Sequence, residues 1–218
     1  MLSFLRTQTP RTKTAHLNPV TDDGGRESWL FHSPSDSWVV TYKIPATTAA
    51  YGRSPNNPPL HFHMYQTEDF LITSGVARFQ IDGKIILAEH GDKVHIPVGA
   101  FHTYENASVN EEDLVISIRL DPADFARDER FFRNFSGYME DCRRANQQPS
   151  PFQLFRLVYE IQAPLVLPGM GTKSTLVARQ ICWLFMFVIG VVIGEWLLGY
   201  KGTYPEYYQS GEEKEKPM

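Results

Sequence analysis

Four residues of this 218-residue chain have the types and spacing to hold a metal ion: His61, His63, Glu68 and His102. The first three fall in Leu60-His61-Phe62-His63-Met64-Tyr65-Gln66-Thr67-Glu68, the fourth in Pro97-Val98-Gly99-Ala100-Phe101-His102. Alternate residues of an extended chain share a face, so His61 and His63 present two imidazoles to one point. A glutamate brought round a short turn and a histidine from a later strand can close on that point. Three neutral imidazoles and one carboxylate suit a divalent first-row cation, Fe, Mn, Ni, Cu or Zn, and leave positions for substrate or water. A single histidine on a strand is as often a packed or surface residue. Four ligand-type residues in register outweigh that explanation.

Other side chains share these faces. Tyr104 stands two residues beyond His102, and its phenol is a candidate acid or base beside Glu68, a ligand able to move protons as well. His95, on the preceding strand, fits a partly exposed position better. Tyr42, Phe70, Phe79 and Phe101 are candidate pocket walls. No arginine lies in either segment to hold a carboxylate, which points away from oxalate-type chemistry. A hydrophobic, oxygenated small molecule, aromatic or polyketide-like, fits such walls better.

The elements that must position these groups are short strands. Alternating or β-branched runs at 38–44, 60–65, 69–73, 76–81, 84–88, 93–96, 101–105 and 113–120 are punctuated by Gly and Pro, and Asp82-Gly83 is a two-residue hairpin turn. The pattern predicts an all-β sandwich or jelly-roll barrel over 36–120. With His61 and His63 inward, Phe62 and Met64 face outward, beneath another layer or a partner. The proline-rich stretch 45–59, with Tyr51 in its middle, precedes the ligands and could overhang a pocket.

Both segments resemble the signature motifs of the cupin superfamily, H-x-H-x4-E-x6-G and G-x5-P-x-G-x2-H-x3-N. Here they read His61, His63, Glu68, Gly75, then Gly91, Pro97, Gly99, His102, Asn106. The glycine common before the first histidine is replaced by a Pro/Asn run ending at Pro59. The resemblance covers about half the chain and selects the jelly roll, a double-stranded β-helix. It implies that His61, His63, Glu68 and His102 bind the metal and that the chemistry is dioxygenase-like. Non-redox isomerisation or cyclisation, and ligand binding without catalysis, are the alternatives. A metal-free epimerase-like cupin would leave the four ligands unexplained. The layout is similar to stand-alone fungal cupins of natural-product pathways, which implies secondary-metabolite biosynthesis. Jelly-roll cupins are commonly dimers, so a second copy is an expected partner.

The flanks read as follows. Residues 1–35 are polar and expected as a flexible lead-in. Residues 121–170 predict two amphipathic helices and a linker, the first opening at Asp121-Pro122 and the second at a capping box, Ser150 to Gln153. These helices are expected to pack on the barrel, with lining a pocket or resting on a membrane as alternatives. Residues 179–200 hold an apolar run bracketed by Arg179 and Lys201, with Trp183, Trp196 and Tyr200 near its ends; this predicts a transmembrane helix. Residues 201–218 read as a disordered charged tail. A single-pass, tail-anchored protein follows, its cupin domain facing the cytosol. Two cysteines are too few for a disulfide framework, and a net charge of −4 without a basic aromatic patch argues against nucleic acid as a partner.

Overall fold

The computed structural model describes residues 2–6, 8–48, 52, 54, 56–108 and 112–210. Tyr51, Pro55 and the tail 211–218 lie outside them. Among these residues, nine strands form two antiparallel sheets. β1 (Val20–Asp22), β2 (Glu27–Phe31), β3 (Val40–Ile44), β9 (Leu114–Asp121), β4 (Thr67–Ser74) and β7 (Lys93–Ile96) lie side by side in that order, while β6 (Lys84–Ala88), β5 (Ala77–Ile81) and β8 (His102–Asn106) make the smaller sheet. The two sheets form the roll, and a helical layer covers part of it.

Alternation along the strands decides what faces in. β3 buries Val40, Tyr42 and Ile44; β9 buries Leu114, Ile116, Ile118 and Leu120; β4 contributes Phe70 and Ile72. Each fully buried side chain of this size stabilises the roll by about 1.5–3 kcal/mol. Asp82 and Gly83, with φ of 46° and 80°, turn β5 back into β6, so that Ile81 pairs with Lys84. That left-handed pair is what an Asp-Gly hairpin supplies.

The lead-in differs from expectation. Residues 20–31 form two strands of the large sheet, with Trp29 paired to Tyr42 in register and stacked on its ring at 3.6 Å. Upstream, Thr12 bonds the Asp141 carboxylate through its backbone N–H and hydroxyl. Residues 60–65 also depart from a regular strand. Only His61 bridges to the sheet, exchanging backbone bonds with His102, while Phe62, Met64 and Leu60 bond residues 162–166.

Three helices follow. α1 (Phe125–Arg144) opens at Asp124, whose side chain accepts from Arg127 N, three residues later than the Asp121-Pro122 signal. α2 (Pro151–Glu160) begins at Ser150 with Pro151 first, as the sequence suggests, but no side chain caps it; Gln153 donates to Lys201 O and accepts from the Tyr204 hydroxyl instead. α3 (Leu176–Leu197), wound as a π-helix from Phe187, is long and apolar enough to cross a membrane. It crosses α2 closely. A Cβ on Gly190 would stand 2.6 Å from Phe155 backbone, and one on Gly194 would stand 2.9 Å from Phe152 O.

Both ends of α3 rest on the same body. Before it, Ser174 donates to Asp82 Oδ1 and Gly99 O; after it, Tyr204 N bonds Asn134 Oδ1 and the Tyr207 hydroxyl bonds Asp141. Tyr204 and Tyr207 are buried. Residues 201–210, expected as part of a disordered tail, are thus packed, while the charged run 211–218 lies outside the described residues. Aromatic and hydrogen-bonding partners on α1 and α2 hold residues 200–209 beside the roll.

Candidate metal centre and substrate cavity

The backbone exchange between His61 and His102 sets their rings 4.2 Å apart, and His63 and Glu68 close the group from the extended chain and the start of β4. One ligand atom from each of His61, His63, Glu68 and His102 lies within 4.8 Å of the others. All four residues are buried. The sequence motif and the spatial cluster are the same four residues.

Hydrogen bonding fixes the rings as ligands. His61 Nδ1 is 2.9 Å from Pro59 O and His102 Nδ1 is 2.9 Å from Ala100 O, so each ring donates Nδ1–H to a carbonyl and keeps a lone pair on Nε2. His102 Nε2 then faces Glu68 Oε2 at 2.9 Å. A lone pair against a carboxylate is repulsive unless a proton or a cation stands between them. His63 Nε2 lies 3.3 Å from the same carboxylate, and neither of its buried ring nitrogens has a well-aligned hydrogen-bond partner among the described residues. Buried imidazole nitrogens without partners are costly in a closed fold. The donor set therefore fits a divalent cation.

Electrostatics agree. Burial alone would raise the Glu68 carboxyl, but the adjacent His63 and His102 imidazoles outweigh it and hold the group well below the usual carboxylate range. His61 is pushed well below the ordinary imidazole value by burial, then by His102 and His63, which keeps it neutral. Tyr104 lines the same space; burial first, then Glu68 and Glu27, lift its phenol well above 10. It is a donor, not a resting base.

With His102 behind them, His61, His63 and Glu68 of the cluster floor a cavity of about 340 Å³. Its opposite wall comes from the helices: Phe131, Phe132, Phe135 and Met139 of α1, and Leu154, Val158 and Ile161 at α2, with Trp29 and residues 56–59 at the side. The apolar helix faces, expected mainly to pack on the roll, thus build the cavity wall. Of the predicted walls, none of Tyr42, Phe70, Phe79 and Phe101 lines this cavity. Phe70 and Phe79 pack edge-on with each other deeper in the roll. Tyr42 lies behind Trp29 with its hydroxyl on Glu27. Phe101 points outward and packs with Phe62 beneath Ala178 and Cys182 of α3. That outer layer is the cover expected over Phe62. His95 is exposed and bonded to Asp69.

Residues 54–116 match the family model of the cupin domain, Cupin_2. Fold and ligand cluster together define a cupin. The chain belongs to the cupin family, within a group of fungal proteins named as oxidoreductases. It is 36% identical over 182 residues to "Probable oxidoreductase virH" of Hypocrea virens, covering 81% of this chain and 80% of that protein. It is 36% identical over 175 residues to "Oxidoreductase iacF" of Pestalotiopsis fici, covering 74% and 83%. It is also similar to "Epoxidase atD" of Aspergillus terreus, 29% identical over 70% of this chain and 47% of that protein.

Proposed function

We propose that this protein is a metal-dependent oxidoreductase acting on a hydrophobic, oxygenated small molecule, aromatic or polyketide-like, in secondary-metabolite biosynthesis. The observation that carries this reading is a three-histidine, one-glutamate cluster at the floor of a cavity walled by aromatic and aliphatic side chains of α1 and α2. The oxidoreductase and epoxidase names of its relatives support the redox class. A divalent metal held by His61, His63, Glu68 and His102 supplies Lewis acidity and, if redox-active, electron transfer. The chain's own residues do the rest. The helical wall excludes water and orients the ring system, Glu68 is placed to accept a proton, and Tyr104 presents a phenolic O–H to an oxygen of the bound molecule.

Membrane association belongs to the same reading, in altered form. The outward face of α3 exposes Val177, Ile181, Leu184, Phe185, Val188 and Trp196, and Leu2 bonds Leu197 O so that Leu2, Phe4 and Leu5 extend the apolar surface. Lys173 and Lys201 are exposed at its two ends. A helix held at both ends to one body lies in the membrane interface rather than crossing it. The two buried, unpaired cysteines suit the cytosolic side. Pairing of two copies would form at the exposed Ile85, Ile86 and Leu87 of the edge strand β6.

The test is an untargeted metabolite comparison of cells with and without the gene, followed by oxygen uptake when purified protein meets the accumulated compound. Uptake coupled to loss of that compound is the expected result. Conversion without uptake would replace the redox reading by isomerisation or cyclisation, and no accumulation would leave a binding protein.

A further inference from the structure

Three buried acceptor atoms at one side of the cavity have no partner among the described residues: Asn56 Oδ1, Asn57 Oδ1 and Glu27 Oε1. Asn56 and Asn57 line the cavity and are 5% and 8% exposed; Glu27 is wholly buried one hydrogen bond behind them. The orientation of Asn56 is fixed, because its Nδ2–H donates to Glu27 Oε2 at 2.6 Å and thereby turns its oxygen away. Glu27 Oε2 takes a second bond from the Tyr42 hydroxyl at 3.1 Å, which holds the carboxylate in place. The loop is braced in turn by Asn56 N donating to Ser54 Oγ and Asn57 N to Ser54 O.

Desolvated acceptors of this kind are destabilising until a donor reaches them. Elsewhere the cavity offers carbon, apart from the ligand cluster and Tyr104. We infer that Asn56 and Asn57 determine substrate specificity: they accept hydrogen bonds from a hydroxyl carried by a neutral ring molecule whose other face lies on Phe131, Phe132 and Phe135. An anionic substrate is disfavoured at this end by two amide oxygens with a carboxylate behind them. This rests on the cavity being the substrate site, as proposed above, and specifies the substrate class as a neutral, hydroxylated ring compound rather than a hydrocarbon or an acid.

The experiment measures binding of three matched probes, 2-naphthol, naphthalene and 2-naphthoate, to the full-length protein by calorimetry. Naphthol should bind at least about tenfold tighter than either of the others. In Asn57→Leu, and in Asn57→Ala as a second variant in case the first does not fold, that preference should fall below about threefold. It should survive chelation of any metal in the wild type. Equal binding of naphthol and naphthalene, failure of all three to bind, or a preference unchanged in both variants would overturn the inference. A preference that disappears on chelation yet persists in the variants would also overturn it, while leaving the metal-site reading intact.

Discussion

His102 Nε2 lies 2.9 Å from Glu68 Oε2, and the same imidazole gives its other nitrogen to Ala100 O at the same distance. The ring is therefore oriented by backbone toward a carboxylate that burial alone would neutralise, and which the neighbouring imidazoles keep charged. A cation held by His61, His63, Glu68 and His102 would supply the positive charge that this carboxylate faces. A divalent metal at about a hundred times its Kd stabilises the folded state by about 2.7 kcal/mol, or roughly 5–10 °C in melting temperature for a chain of this size. Thermal unfolding with and without chelator should show that shift in the wild type and lose most of it in Glu68→Ala. An undiminished shift in the variant would remove Glu68 from the ligand set.

Asp22 gives a pH signature independent of the metal. Burial, then Glu140 and Glu27, raise its carboxyl from 3.8 to about 7, against a hydrogen bond from Trp29 Nε1 at 3.0 Å that lowers it. The folded state thus keeps a proton that the unfolded chain has released between these two values. Stability from this group is greatest below pH 4 and declines as pH rises toward 7 and beyond, by an amount on the order of 2–4 kcal/mol. In Asp22→Asn the Trp29 bond can persist and the titration is gone. Melting curves from pH 5 to 8 should fall more steeply for the wild type than for the variant; parallel curves would show that Asp22 does not titrate in this way.

Gly190 permits the close crossing of α2 and α3, since any side chain there meets Phe155 backbone, which cannot swing aside. Gly190→Val should cost about 1–3 kcal/mol, as overpacking of a close contact does, whereas Val188→Ala on the exposed face should be nearly neutral. Denaturant midpoints measure both. Equal effects would mean that the crossing is looser than the structure has it.

The exposed face of α3 should bind lipid. Full-length protein should float with vesicles containing about a third phosphatidylserine, because exposed lysines flank an apolar strip. The triple variant Phe4→Gln/Leu184→Gln/Trp196→Gln alters only exposed positions and should reduce the floated fraction at least about fivefold. Equal flotation of both proteins would count against an interfacial helix.

What could be read from the chain was whatever depends on local spacing. The four ligands, the Asp82-Gly83 hairpin and the outward placement of Phe62 follow from period-two alternation and turn chemistry. Inwardness alone did not separate Phe70 and Phe79, which fill the closed part of the roll, from Tyr104, which reaches the open part; that depends on depth along the barrel. Phe101 shows a related limit, its neighbour His102 taking the inward face. β1 and β2 escape a local reading because one is only three residues long and the pair buries Asp22 and Glu27 beside Trp29, so no apolar alternation marks them. The seat of Tyr207 was invisible for a different reason: its partner Asp141 is 66 residues away, and the charged run after it dominated the local composition. Asn56 and Asn57 sit in a proline-rich loop, where asparagine is an ordinary turn former. Only burial without partners distinguishes them from ordinary turn formers.

Elemental analysis of the full-length protein, purified without chelator, tests the central claim most directly. The account predicts about one equivalent of a divalent first-row metal per chain, falling at least tenfold in His61→Ala/His102→Ala while the variant stays folded. A folded wild-type protein that carries no metal and takes up none on incubation with Fe, Mn, Ni, Cu or Zn would contradict it.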